Sequence, residues 1–143
     1  MKFAIVERGD AYSKELADYI KERCQQEGWQ YHKSNPDLII SIGGDGTMLR
    51  SIHEYLDQLD SVCFVGIHTG TLGFLTDYTK QEIHLFLHGL FNKKPQLEEF
   101  PLLEITLPEK KETFYAFNEI RIESIAKTVH LNIYIDGEFF EKT

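Results

Sequence analysis

Asp45 is the one carboxylate in a run of small residues, Gly43-Gly44-Asp45-Gly46-Thr47. Glycines permit positive φ and let a backbone approach a ligand closely. Successive bare N–H groups and a helix N-terminus attract phosphate. A carboxylate among such donors repels phosphate unless it takes a proton or faces a metal ion. These residue types at this spacing fit phosphoryl transfer to an alcohol. The backbone and Gly46 would lie against phosphates. Asp45 would orient the attacking hydroxyl and take its proton. In a loose transition state the proton leaves late, so positioning carries much of the rate. A base in this role contributes roughly 10² to 10⁴-fold. The run lacks the Lys-Ser/Thr ending of a P-loop and the G-x-G-x-x-G spacing of a dinucleotide fingerprint. The plainer alternative is a tight strand-to-helix turn in which Asp45 caps the helix.

The elements around the run decide where it sits. Phe3–Val6 reads as a strand. Glu15–Gln26 reads as a helix, with Ser13 as N-cap and Gly28 as the stop. Trp29–His32 is a short second strand, and Asn35-Pro36 breaks the chain before strand Leu38–Ile42. Met48, Leu49, Ile52, Tyr55, Leu56 and Leu59 recur at a helical period, and Val62–Ile67 is a further buried strand. This alternation predicts an α/β fold, an N-terminal open and mainly parallel sheet with flanking helices over residues 1–100. The Asp45 run falls at a strand end, where such a sheet binds its ligand.

A second glycine-bearing loop, His68-Thr69-Gly70-Thr71-Leu72-Gly73-Phe74-Leu75-Thr76, follows the last of these strands. Thr79-Lys80-Gln81-Glu82 matches a capping box, and Ile83, Phe86, Leu87, Leu90 and Phe91 share the face of the helix behind it. After Pro95 and Pro101 the pattern changes to period two: Leu103, Ile105, Leu107; Phe114, Ala116; Ile120, Ile122; Val129, Leu131, Ile133, Ile135. That indicates antiparallel strands with one covered face. Asp136-Gly137 is the turn of a hairpin. Residues 101–143 thus read as the beginning of a β-rich antiparallel domain, too small to bury a core alone. The chain is expected to be a fragment that continues past Thr143.

Composition narrows the function. The 143 residues carry a net charge of −8, which argues against nucleic acid as a partner. It does not argue against nucleotides, because amides, a helix terminus and a divalent ion supply a local positive field. No apolar run approaches the roughly 20 residues of a membrane span, so no membrane partner is expected. Cys24 and Cys63 lack metal-like spacing and read as buried thiols in a reducing cytosol. The six histidines show no metal-ligand spacing, and no protein-bound metal is assigned.

Taken together and in order, Gly43-Gly44-Asp45-Gly46-Thr47, Gly70-Thr71-Leu72-Gly73-Phe74-Leu75 and Asn118-Glu119 resemble the NAD kinase family over the whole chain. The first motif alone is shared with diacylglycerol and sphingosine kinases, and a close variant occurs in phosphofructokinases; the other two narrow it. The resemblance implies transfer of a phosphoryl group from ATP, or polyphosphate, to the 2′-hydroxyl of the adenosine ribose of NAD, giving NADP. It implies Asp45 as base or hydroxyl-orienter, with Gly44, Gly46 and Thr47 beside the nucleotide. It implies Phe74 near the adenine, and Asn118 and Glu119 on ribose hydroxyls. Mg²⁺ would arrive with the donor, in a cytoplasmic homodimer or homotetramer. A further glycine- and serine/threonine-rich motif of the family has no match in residues 120–143.

Local readings stand beside these implications. Phe74 can pack on a flat base, or it fills core. Asn118 and Glu119 interrupt an apolar strand pattern, as a buried polar pair awaiting sugar hydroxyls or as a strand end that meets water. Arg50, one helical turn beyond the motif, is a candidate phosphate contact or part of a solvated helix face. The rival functions are a lipid kinase of the diacylglycerol type and a catalytically silent nucleotide-binding domain.

Overall fold

The computed structural model describes every residue except Leu72, so that position of the second glycine motif lies outside the described residues. The chain divides into two compact units, Met1–Leu97 and Glu98–Thr143.

The first unit is a five-stranded sheet in the order β2-β1-β3-β4-β5, parallel throughout. Its elements are β1 (Lys2–Glu7), α1 (Ala11–Gln26), β2 (Gln30–Tyr31), β3 (Leu38–Gly43), α2 (Asp45–Glu54), β4 (Cys63–His68), β5 (Tyr78–Thr79) and α3 (Ile83–Asn92). Every residue of β3 is buried. That is why its sequence is a continuous apolar run rather than an alternating one. On one face Phe3, Ile40, Ile42 and Ile67 meet Leu16, Ile20 and Cys24 of α1 and Phe86 and Leu87 of α3. On the other, Ala4, Val6 and Ile39 pack with Tyr55, Val62 and Phe64. Met48 and Ile52 are the buried apolar residues of α2.

Two helix starts differ from the expectation. The N-cap of α1 is Asp10, not Ser13. Asp10 is extended, and its Oδ1 accepts the Ser13 N–H at 3.1 Å. Ser13 lies inside the first turn, fully buried. Helix α2 begins at Asp45, three residues before the apolar periodicity, because the extended Gly44 acts as its N-cap. The Thr79–Glu82 capping box forms, and a short 3₁₀ turn over Lys80–Glu82 leads into α3.

In the second unit β6 (Leu103–Leu107) pairs antiparallel with β7 (Glu112–Ala116), and β8 (Asn132–Ile135) with β9 (Glu138–Lys142). Asp136 and Gly137 take φ of 52° and 84°, the left-handed pair of a two-residue hairpin turn. The strand expected around Ile120 and Ile122 does not form, and Val129 and Leu131 lie before β8. Alternation supplies a face, but a strand exists only where a neighbour takes its N–H and C=O groups. Residues 117–130 find no such ladder among the described residues, and Ile120, Ile122 and Ile125 are exposed. A parallel sheet with flanking helices followed by antiparallel strand pairs is nonetheless the architecture.

Candidate active site

Three loops meet at the C-terminal ends of β1, β3 and β4. The middle one, Gly43–Thr47, turns from sheet into α2. Gly43 must be glycine here: a Cβ would overlap the Thr47 side chain. Thr47 is turned inward and buried, so it supports the loop from beneath. Gly44 O receives the N–H groups of Thr47 at 2.9 Å and Met48 at 3.1 Å, which closes the first turn. Gly46 is exposed, and a Cβ placed on it meets nothing within 4 Å. Neither packing nor a left-handed φ within the protein requires glycine at that position.

Asp45 does not cap its own helix; α2 has no side-chain cap. Its carboxylate crosses to the second glycine loop. Oδ1 accepts the N–H of Phe74 at 3.0 Å and of Leu75 at 2.9 Å, while Oδ2 shares the Phe74 N–H at 3.0 Å. Two backbone donors therefore fix the carboxylate plane, and Oδ2 keeps lone pairs for another donor. The Phe74 ring is 85 % exposed beside it, which removes the core-filling alternative for that residue.

His68 explains how the second loop folds over. The histidine is buried at the end of β4, and its Nδ1 accepts the Gly70 N–H at 3.0 Å. A Cβ at Gly73 would overlap the imidazole and Thr76. The loop thus lies on the ring at its glycines. Thr69 adds a second brace, with its N–H 2.7 Å and its Oγ1 3.2 Å from the Gly43 carbonyl. Farther along, Asp77 exchanges bonds with β4: its Oδ2 accepts the Gly66 N–H at 2.7 Å, and its own N–H reaches the Gly66 carbonyl at 2.9 Å. A groove of about 510 Å³, lined by His68, Gly73, Thr76, Thr79 and Lys80 among others, opens along this loop. Sequence reasoning assigned His68 no role; the available signal was two glycines close behind a histidine at a strand end.

The third loop, Arg8-Gly9-Asp10, leaves β1. Arg8 Nε donates to Asp10 Oδ2 at 2.7 Å, and Ser13 Oγ donates to the same oxygen at 2.8 Å. The Arg8 hydrogen bond, then those of Ser13, hold the Asp10 carboxyl far below the usual carboxylate range. Ser13 Oγ, in the helix that follows this third loop, lies 3.3 Å from Thr69 Oγ1 of the second, joining the two through buried hydroxyls. Arg50 is exposed, and its Nη2 donates to the Glu7 carbonyl at the end of β1.

Asp45, Gly44, Gly46 and Phe74 are therefore gathered in one place, with Thr47 behind them. Asn118 and Glu119 belong to the second unit. There they lie just beyond β7 and are exposed, rather than forming a buried pair within a strand. The polar pair follows the last ladder residue, Ala116, so the strand pattern they were expected to interrupt has already ended. Among the described residues no group of three or more His, Cys, Asp or Glu side chains is placed to hold a metal ion.

Residues 6–94 match the family model of the ATP-NAD kinase N-terminal domain. The NAD kinase of Lysinibacillus sphaericus is 39 % identical over 99 % of this chain and 55 % of its own length. That of Lactobacillus helveticus is 38 % identical over 99 % of this chain and 53 % of its own. The chain thus spans about half the length of the curated relatives it matches. Among solved structures, yeast NADH kinase complexed with NADH superimposes with a TM-score of 0.72 at 16 % identity, covering 99 % of this chain and 54 % of the yeast one. The fold is shared with that kinase, and on the strength of the family match the chain belongs to the ATP-NAD kinase family.

Proposed function

We propose that this chain is part of an enzyme that transfers the terminal phosphoryl group of ATP to the 2′-hydroxyl of the adenosine ribose of NAD, giving NADP. The observation that carries the reading is the Asp45 carboxylate, anchored through Oδ1 by two amides and open at Oδ2. The ribose hydroxyl donates to Oδ2, which orients the oxygen toward the phosphorus and takes the proton as the new bond forms. Because the carboxylate is already held, little reorganisation is needed at the moment of transfer. The exposed Phe74 ring, next to the amide that anchors Asp45, offers its face to the adenine. Gly44 and Gly46 let the nucleotide approach the backbone, and Thr47 supports them from below. Arg50, whose guanidinium reaches the Glu7 carbonyl at the end of β1, contributes positive charge as a phosphate contact. Asn118 and Glu119 hold ribose hydroxyls of the dinucleotide. Mg²⁺ enters as part of the MgATP substrate, with polyphosphate as a further donor to be tested. The family resemblance supports a cytoplasmic homodimer or homotetramer.

The test is Asp45→Asn in the full-length enzyme supplied with MgATP and NAD. The amide keeps one oxygen for the loop donors but no longer takes the proton. NADP formation should fall by about 100-fold or more, the range of a lost general base, while NAD binding persists. Turnover within about threefold of wild type would remove Asp45 from the chemistry. Phosphorylation of diacylglycerol instead of NAD would indicate the lipid kinase, and NAD binding without turnover a silent domain.

A further inference from the structure

His68 meets both glycine runs. It stands opposite Gly43 at the last position of the β3–β4 ladder. From there its buried ring reaches three glycines. A methyl group on Gly44, the residue before Asp45, would stand 3.8 Å from Nε2, and one on Gly70 would stand 3.0 Å from Cε1. One on Gly73 would overlap Cδ2. The imidazole thus lies between the turn that carries Asp45 and the loop whose amides hold its carboxylate. A flat ring flanked by bare Cα atoms sets how closely the two approach.

The contact with Gly70 is directional as well. Nδ1 accepts the N–H of the residue two positions on, at 3.0 Å. An Asn or Asp side chain makes the same bond in an Asx turn. With Nδ1 as acceptor, the proton of the neutral ring sits on Nε2. The bond turns the chain at Gly70, and the loop then passes over the ring at Gly73. The far end of the loop is held separately, by the paired bonds between Asp77 and Gly66. Phe74 and Leu75 lie between these two anchors, and their N–H groups are the ones that fix Asp45. Releasing the His68 anchor frees those amides to shift, and the carboxylate shifts with them. A misplacement of about 1 Å at a reacting group costs on the order of 100-fold in rate.

We infer that His68 is a positioning residue for phosphoryl transfer: its Nδ1 holds the second glycine loop so that the Phe74 and Leu75 amides aim Asp45 at the acceptor hydroxyl. This rests on the role given to Asp45 above. His68 acts through the loop and not on the substrate. What the site requires of it is an acceptor at the δ position, not the basicity of an imidazole. Asparagine meets that requirement, because its Oδ1 stands as many bonds from Cα as Nδ1 does. Leucine has nearly the shape of asparagine and offers no acceptor.

The test compares His68→Asn with His68→Leu in the full-length enzyme supplied with MgATP and NAD. His68→Leu should lower kcat by about 10- to 100-fold, a larger change than any rise in the KM for NAD, with the KM for MgATP within about twofold of wild type. His68→Asn should keep kcat within about threefold of wild type, because the Asx-type bond re-forms. If His68→Leu does not fold, His68→Gln takes its place with the same expectation, since its amide oxygen stands one bond too far out. In an Asp45→Ala background His68→Leu should cost less than about twofold more, as no carboxylate remains to be aimed. Equal kcat in the asparagine and leucine variants, or the full loss in the Asp45→Ala background, would overturn the assignment. Amide hydrogen exchange of the peptide that holds Phe74 and Leu75 gives a readout independent of turnover. It should be about fivefold faster in His68→Leu and unchanged in His68→Asn. If wild type makes no NADP but this difference holds, the reaction assigned to Asp45 fails while the anchoring by His68 stands; equal exchange in both variants sinks the anchoring itself.

Discussion

Replacing Gly46 by alanine separates folding from chemistry in one substitution. Gly46 is the second residue of α2, is exposed, and a methyl there touches nothing within 4 Å. Its φ lies outside the left-handed region. The folded chain therefore accepts the methyl without strain. Alanine also loses less backbone entropy than glycine on folding, which stabilises a helical position by about 0.5–1 kcal/mol. For a unit the size of Met1–Leu97 that corresponds to a rise in Tm of roughly 2–8 °C. If a phosphate or ribose packs on the bare Cα, the same methyl occupies its space. Overpacking of a close contact costs about 1–3 kcal/mol, a fall in kcat/KM of about 5- to 150-fold. Thermal melting and an NADP-formation assay on the full-length enzyme read the two effects. A more stable variant with undiminished kcat/KM would show that no ligand lies against Gly46 and refute the reasoning.

Three further outcomes follow from the geometry. Phe74→Ala should raise the KM for NAD by about 3- to 10-fold through loss of ring stacking with little change for ATP; equal changes would make the ring a general packing element. Burial pushes the Cys24 thiol up to about 12, so a thiol reagent at pH 8 should label it only after denaturation, and rapid labelling in a Cys63→Ser background would contradict its burial. The carboxyl of Asp10 is held below its ordinary value in the folded chain, so its contribution is present above that ordinary value and is lost as pH falls toward the folded one. The stability difference between wild type and Asp10→Ala should therefore be widest near neutrality and narrow below about pH 4; a gap independent of pH would refute the linkage.

Much of the fold was legible because its signals are local. The apolar runs at Leu38–Ile42 and Val62–Ile67, the Thr79–Glu82 box and the Asp136-Gly137 turn all act over a few residues. The helix starts were less so. Asp10 rather than Ser13 caps α1, because the side chain also answers Arg8 and Thr69 lies behind Ser13, contacts that sequence spacing does not display. The strand at Ile120–Ile122 failed for a related reason: period two records a face and says nothing of a hydrogen-bonding neighbour.

By itself the sequence determined the chemistry on offer: one carboxylate among glycines at a strand end, an aromatic in a second glycine loop, and a β-rich segment behind them. Only the tertiary structure decided which way the carboxylate points. Helix position alone offered Asp45 a capping role, but the imidazole of His68 under Gly70 and Gly73 brings the Phe74 and Leu75 amides within 3.0 Å of it. Those donors come from residues 29 and 30 positions away in the chain. A contact of that span depends on how neighbouring strands are ordered in the sheet, which no local pattern encodes.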